Sequence, residues 1–169
     1  MKLIILFFSF FSIIFVASCS LEPADKNGLA LIYLEEGDTT KALNELTEAL
    51  EEDPKLEKAL MNRAMILTAQ DNLKAAIEDY NSVLEINSQN VSAYKKRGIL
   101  FLKLDRYLQA IQDFTRAIEL YNADHEVYHL RGFAYFQIDL NFKACEDWTE
   151  AKRLGSDRAD ADLKMFCEN

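Results

Sequence analysis

The chain has 169 residues, with 28 acidic against 19 basic side chains and a net charge of −9. Half of it is hydrophobic, so there is material for a real core. No basic patch is present, which excludes the cation-on-phosphate chemistry of nucleic-acid binding, and an acidic chain is not expected to seek acidic partners.

The first eighteen residues do not belong to the fold. Lys2 precedes the apolar run LIILFFSFFSIIFV, which ends in Val16-Ala17-Ser18-Cys19. A short apolar run before small residues reads as a secretory signal, here residues 1–18. An incidental cysteine after an ordinary signal peptide or a membrane helix is the other reading of the same residues. Residues 19–26 then form a short polar tether containing Pro23. A fully extended chain spans at most about 3.6 Å per residue, so the tether keeps the first folded residues near its point of attachment.

From Pro23 onward one pattern recurs every 34 residues, in units 23–56, 57–90, 91–124 and 125–158. Tyr94, Arg97, Gly98 and Phe101 fall on Tyr128, Arg131, Gly132 and Tyr135. Ala110, Asp113, Phe114, Ala117 and Leu120 fall on Ala144, Asp147, Trp148, Ala151 and Leu154. The second unit keeps Leu60, Arg63, Ala64, Leu67, Ala76, Asp79, Tyr80 and Ile86, and the first a weaker set from Leu29 to Pro54. A fixed period of this size marks a stacked repeat. Apolar residues three and four apart make each unit helical. Small residues at the eighth position, such as Gly98 and Gly132, let two helices approach. One helical hairpin cannot bury its own apolar face and must stack on its neighbours.

Asp157–Glu168 reads as a short helix capping the stack over 159–169, with Ala159, Leu163 and Phe166 facing inward. Cys145 and Cys167 are left once Cys19 is set aside. In an exported protein such a pair is expected to form a disulfide stapling the cap to the last unit, against two buried free thiols.

Arg63, Arg97 and Arg131 recur at the seventh position, and Asp79, Asp113 and Asp147 at the twenty-third. The first unit has Leu29 and Glu45 there, so the pair is present or absent together. Ion pairs within each unit are therefore expected. Pairs between neighbouring units, or solvated surface charges, are the other two arrangements.

The repeated residues resemble the tetratricopeptide repeat over about residues 23–158. Arg in place of the usual Leu before the glycine, and a late proline kept only as Pro54, depart from that pattern. The resemblance implies an all-α, right-handed solenoid of antiparallel helix hairpins, about four repeats with a short C-terminal capping helix. It also implies that the first helix of each unit lines a concave groove. Carried over, the groove residues are Met65, Lys95, Ile99, Leu102, His129, Phe133 and Phe136, a site for a peptide segment or an amphipathic helix of another protein. Core packing is the competing role for each of them. The family's clamp for acidic chaperone tails fits neither frame: one holds Met61, Met65, Lys96, Glu126 and Leu130, the other Asn27, Leu31, Asn62, Ser92 and Lys96.

The cysteine after Val16-Ala17-Ser18 resembles a bacterial lipoprotein signal. That implies fatty-acyl chains such as palmitate on Cys19 as the mature N-terminus, attachment to a membrane of the cell envelope, and, with Ser20 rather than Asp next, the outer membrane. The function expected from the whole is a non-enzymatic, membrane-anchored scaffold or adaptor with no cofactor or metal. An accessory subunit of an envelope assembly or secretion machine is the alternative. A third reading comes from His125-Glu126-Val127-Tyr128-His129, which spells H-E-x-x-H. On a helix both histidines share a face and could hold zinc with Glu126 as base. The repeat already explains Tyr128 and the start of that helix, so a zinc hydrolase using His125, Glu126 and His129 is the least favoured.

Overall fold

The computed structural model describes residues 21–167. The expected lipidation at Cys19 and the segment 1–18 lie outside the described residues. Among those described there are nine helices and no strand. Four hairpins come first: α1 (Pro23–Glu35) with α2 (Thr39–Glu52), α3 (Glu57–Ala69) with α4 (Leu73–Ile86), α5 (Val91–Lys103) with α6 (Tyr107–Leu120), and α7 (His125–Phe136) with α8 (Asn141–Arg153). A shorter α9 (Asp157–Phe166) follows. The first helices of the hairpins begin 34 residues apart. Each helix packs on the one before it and the one after it in sequence, as a stack requires. No described helix is long and apolar enough to cross a membrane.

The turn inside each hairpin is fixed by its fifteenth residue. Gly37, Asp71, Asp105 and Asp139 all adopt positive φ, between 54° and 81°. Asp is among the few side chains that tolerate this left-handed geometry. In each hairpin the amide of the residue after this fifteenth one bonds back into the last turn of the first helix, as Asn72 N to Leu67 O at 2.8 Å and Arg106 N to Phe101 O at 2.8 Å. This closes the orphan carbonyls left at a helix C-terminus. Several N-termini are capped by side chains: Asp38 accepts from Lys41 N, Asn90 from Ala93 N, Asp124 from Glu126 N and Ser156 from Ala159 N.

The small residues at the eighth position are what bring the helices of a hairpin together. Ala30 and Ala64 are fully buried. A Cβ built on Gly98 would lie 2.7 Å from the Phe114 ring, and one on Gly132 would lie 2.6 Å from the Trp148 indole. The twenty-fourth position thus fills the space vacated at the eighth, growing from Leu46 and Tyr80 to Phe114 and Trp148, each at most 1% exposed.

Candidate partner groove

The ninth position of the hairpins is held open. Leu31, Met65 and Phe133 are 43%, 48% and 40% exposed, and Ile99 at the same position is half-buried. Ile99 and Leu102 pack on the core of the third hairpin while keeping part of their surface outward. Between α3 and α5 lies a recess of about 450 Å³, lined among others by Met65, Thr68, Lys96, Ile99 and Lys103.

Lys95 is less available than the sequence implies. Its ammonium lies 2.7 Å from Asp124 and 2.6 Å from Glu126. Burial pulls its pKa down, but the two carboxylates outweigh it, and the net direction is up. Burial likewise pushes the Asp124 carboxyl up, and Lys95 reverses this to a net fall. The triad locks α5 to the cap of α7.

Two of the expected groove residues are covered. His129 is only 8% exposed, and its Nε2 donates to the Asp162 carboxylate of α9 at 2.7 Å. The Phe136 ring lies 4.6 Å from Phe166 and 5.8 Å from Trp148, centroid to centroid. Both side chains support the capping helix, which sits where the first helix of a fifth hairpin would. The open groove therefore ends at Phe133. Phe166, expected to face inward, is 44% exposed yet stacks on Phe136 and Trp148.

Cys145 and Cys167 are joined by a disulfide, with Cα atoms 5.9 Å apart. That separation is ordinary for such a bond. With Ala159 and Leu163 buried, the bond fixes α9 against α8.

The H-E-x-x-H residues do not converge on an ion site. Glu126 faces Lys95 and His129 faces Asp162. Among the described residues no group of three or more His, Cys, Asp or Glu is placed to hold a metal. In the second clamp frame, Asn27 is buried and accepts from Asn62 at 2.9 Å, so both amides are spent on joining α1 to α3.

The Arg–Asp pairs lie within hairpins. Arg63, Arg97 and Arg131 each reach both carboxylate oxygens of Asp79, Asp113 and Asp147 through Nε and Nη2, at 2.7–2.9 Å. Two of them extend a third nitrogen to the preceding hairpin, Arg97 to Asn81 at 2.6 Å and Arg131 to Thr115 at 3.1 Å. These are structural clamps, with the carboxylates buried.

Lys96 and Tyr80 were not among the expected groove residues, whereas Thr68, at the twelfth position beside Met65, was. Lys96 sits three residues before Ile99, on the same side of the helix, and that spacing was the available signal. Asp162 carried no signal, since it lies in the capping helix α9, outside the repeat that places His129.

Tetratricopeptide-repeat family models match residues 33–97 and 91–124. The fourth hairpin lies outside both matches, although it carries the same Arg, Gly and Asp. No curated protein matches the chain. Similar solved structures include the MamA RS-1 ArsTM double mutant, at 20% identity with a TM-score of 0.80, covering 85% of this chain and 82% of that one. MamA 41-end from Desulfovibrio magneticus RS-1 has a TM-score of 0.79 at 20% identity, with coverage of 85% and 82%. A crystal structure of MamA has a TM-score of 0.75 at 20% identity, with coverage of 82% and 81%. At such identities the likeness speaks for the fold.

Proposed function

We propose, for a chain that carries tetratricopeptide repeats across residues 33–124, a non-enzymatic scaffold that holds a segment of another protein in its concave groove. The observation that carries this reading is the ninth position. Large apolar side chains in three hairpins stay two-fifths or more exposed at one register, on helices whose eighth position is buried in every hairpin. A run of exposed apolar surface along a groove favours a peptide or amphipathic helix.

The scaffold is tethered to a membrane of the bacterial envelope through lipid on Cys19, with the outer membrane as the favoured site. The support is the residue pattern Val16-Ala17-Ser18-Cys19 after an apolar run. Several acyl chains anchor stably where a single one binds reversibly. Mass spectrometry of the membrane fraction should find a lipid-bearing peptide that starts at Cys19, and Cys19→Ala should release the protein. A soluble product starting elsewhere overturns the anchor.

The groove reading is tested by crosslinking in membranes. Met65→Ala with Phe133→Ala should lose the crosslinked partner while keeping the helical circular-dichroism signal. An unchanged set of crosslinks in the double variant would move the binding surface elsewhere.

A further inference from the structure

The charge of the groove opposes the charge of the chain. The whole sequence carries −9, yet Lys96 and Lys103 both line the recess between α3 and α5. Five of the nine other lysines in the described residues are spent in ion pairs: Lys26 on Glu48 and Glu52, Lys41 on Asp38, Lys95 on Asp124 and Glu126, and Lys152 and Lys164 on Asp160. Lys96 and Lys103 make no ion pair with any described residue. Asp71 lines the same recess without pairing with either. Net charge is a sum over the surface, and a concave site responds to the groups that line it.

Their placement is specific. Seven residues on a helix are nearly two full turns, so the two ammonium groups leave α5 on the same side, about 10 Å apart. Ile99 lies between them, and Met65 faces it from α3. The recess also reaches Thr68 and the buried Tyr80. Burial pushes the Tyr80 hydroxyl up to about 12, against a hydrogen bond with Thr68, so it keeps its proton at neutral pH. The strip therefore offers cation, apolar floor, cation.

We propose that this recess receives an acidic segment of a partner protein, with one apolar side chain on Met65 and Ile99 and carboxylates on Lys96 and Lys103. The inference rests on the protein-binding reading above and gives it a chemistry. Two carboxylates spaced by about 10 Å, roughly two turns of a helix or three extended residues, meet both lysines at once. Complementary charge of this kind selects partners and speeds encounter more than it adds affinity. The net charge of −9 works against non-specific association with acidic chains elsewhere, so it aids the selection.

The test is a random dodecapeptide library panned on the full chain in detergent, followed by titration of the enriched peptides as labelled synthetic probes. Enriched sequences should carry Asp or Glu flanking an apolar residue. Their Kd should rise at least tenfold in Lys96→Glu with Lys103→Glu, and several-fold in Lys96→Gln with Lys103→Gln, which keeps the test alive should charge reversal impair folding. Raising the salt concentration should weaken wild-type binding. Peptides with no acidic excess, or undiminished binding to both lysine variants, overturn the proposal. If those same peptides are lost in Met65→Ala with Phe133→Ala, the groove reading survives and only the acidic chemistry falls. If they bind that variant too, or if nothing enriches, both readings fall. A salt-sensitive dimer of the chain that disappears in the lysine variants would make a second copy the occupant and overturn the assignment to a partner protein.

Discussion

Arg97 holds Asp113 with two parallel hydrogen bonds of 2.8 and 2.7 Å, and both groups are largely shielded from water. Burial raises the Asp113 carboxyl pKa, and the guanidinium pulls it back without fully offsetting that rise. The pair is therefore a fixed structural unit in which neither member is tolerable alone. Arg97→Ala should cost about 3–5 kcal/mol in urea unfolding, since it strands a buried carboxylate. Arg97→Met combined with Asp113→Leu should recover most of that loss. A cost below about 1 kcal/mol for the single change would place the pair among solvated surface bridges.

The two close glycines should differ in their response to alanine. At Gly98 only the Phe114 ring has to yield. At Gly132 the new methyl meets Trp148 and also lies 3.2 Å from the carbonyl oxygen of Ala144, which cannot move freely. Trp148 is held further by donating to His129 O at 3.3 Å. Overpacking costs roughly 1–3 kcal/mol, and better helix propensity returns up to about 1 kcal/mol. Gly132→Ala should therefore lower the urea midpoint clearly, and Gly98→Ala should lower it less. The reverse order would show that the indole moves more easily than the benzyl ring.

Reduction of Cys145–Cys167 should lower the melting temperature. The bond closes a loop of 22 residues, for which the chain-entropy account gives about 3 kcal/mol. Cys145→Ser with Cys167→Ser should melt at the same reduced temperature and be insensitive to reductant. Equal melting of oxidised and reduced protein would mean that α9 holds its place without the bond.

The cap should also loosen in acid. Hydrogen bonds from Lys152 and Lys164 lower the Asp160 pKa to about 2. A lowered folded-state value contributes stability that is fully present above the unfolded value of 3.8 and is lost as pH falls through about 2. The protection factors of the α9 amides, taken relative to the intrinsic exchange rate at each pH, should therefore fall from about pH 4 downward in the wild type. The gap between wild type and Asp160→Asn should shrink over the same range. A gap independent of pH would show that Asp160 acts through something other than its charge.

The repeat itself was legible because its signal is redundant. Four copies of one spacing carry the same instruction, and the seventh and twenty-third positions vary together, so even the Arg–Asp partners could be read. The turn residues were half legible. Asp71, Asp105 and Asp139 stand in register with Gly37, but the positive φ they share with it shows only in the folded backbone. The groove was legible as far as the repeat is regular. It fails at His129 and Phe136, because the family pattern assumes that the last hairpin is open. Here Asp162 and Phe166 close it, and neither residue belongs to the repeat. Lys96 escaped for a different reason. Its spacing to Ile99 placed it on the right side of the helix, but that it makes no ion pair with any described residue is a property of the surrounding space.

The third nitrogen of Arg97 and Arg131 gives the stack a direction. Each reaches back one hairpin, to Asn81 and to Thr115, while Arg63 keeps to its own Asp79. The rear end is further fastened by the disulfide. Coupling is thus strongest among the later hairpins and weakest where α1 and α2 meet the rest, joined there by Asn27 and Asn62. Pulled from its two ends, the chain should come apart like a zip with one sewn end. The amino-terminal hairpin peels first, at low force, and the last hairpin with its cap yields only when the remainder is already extended.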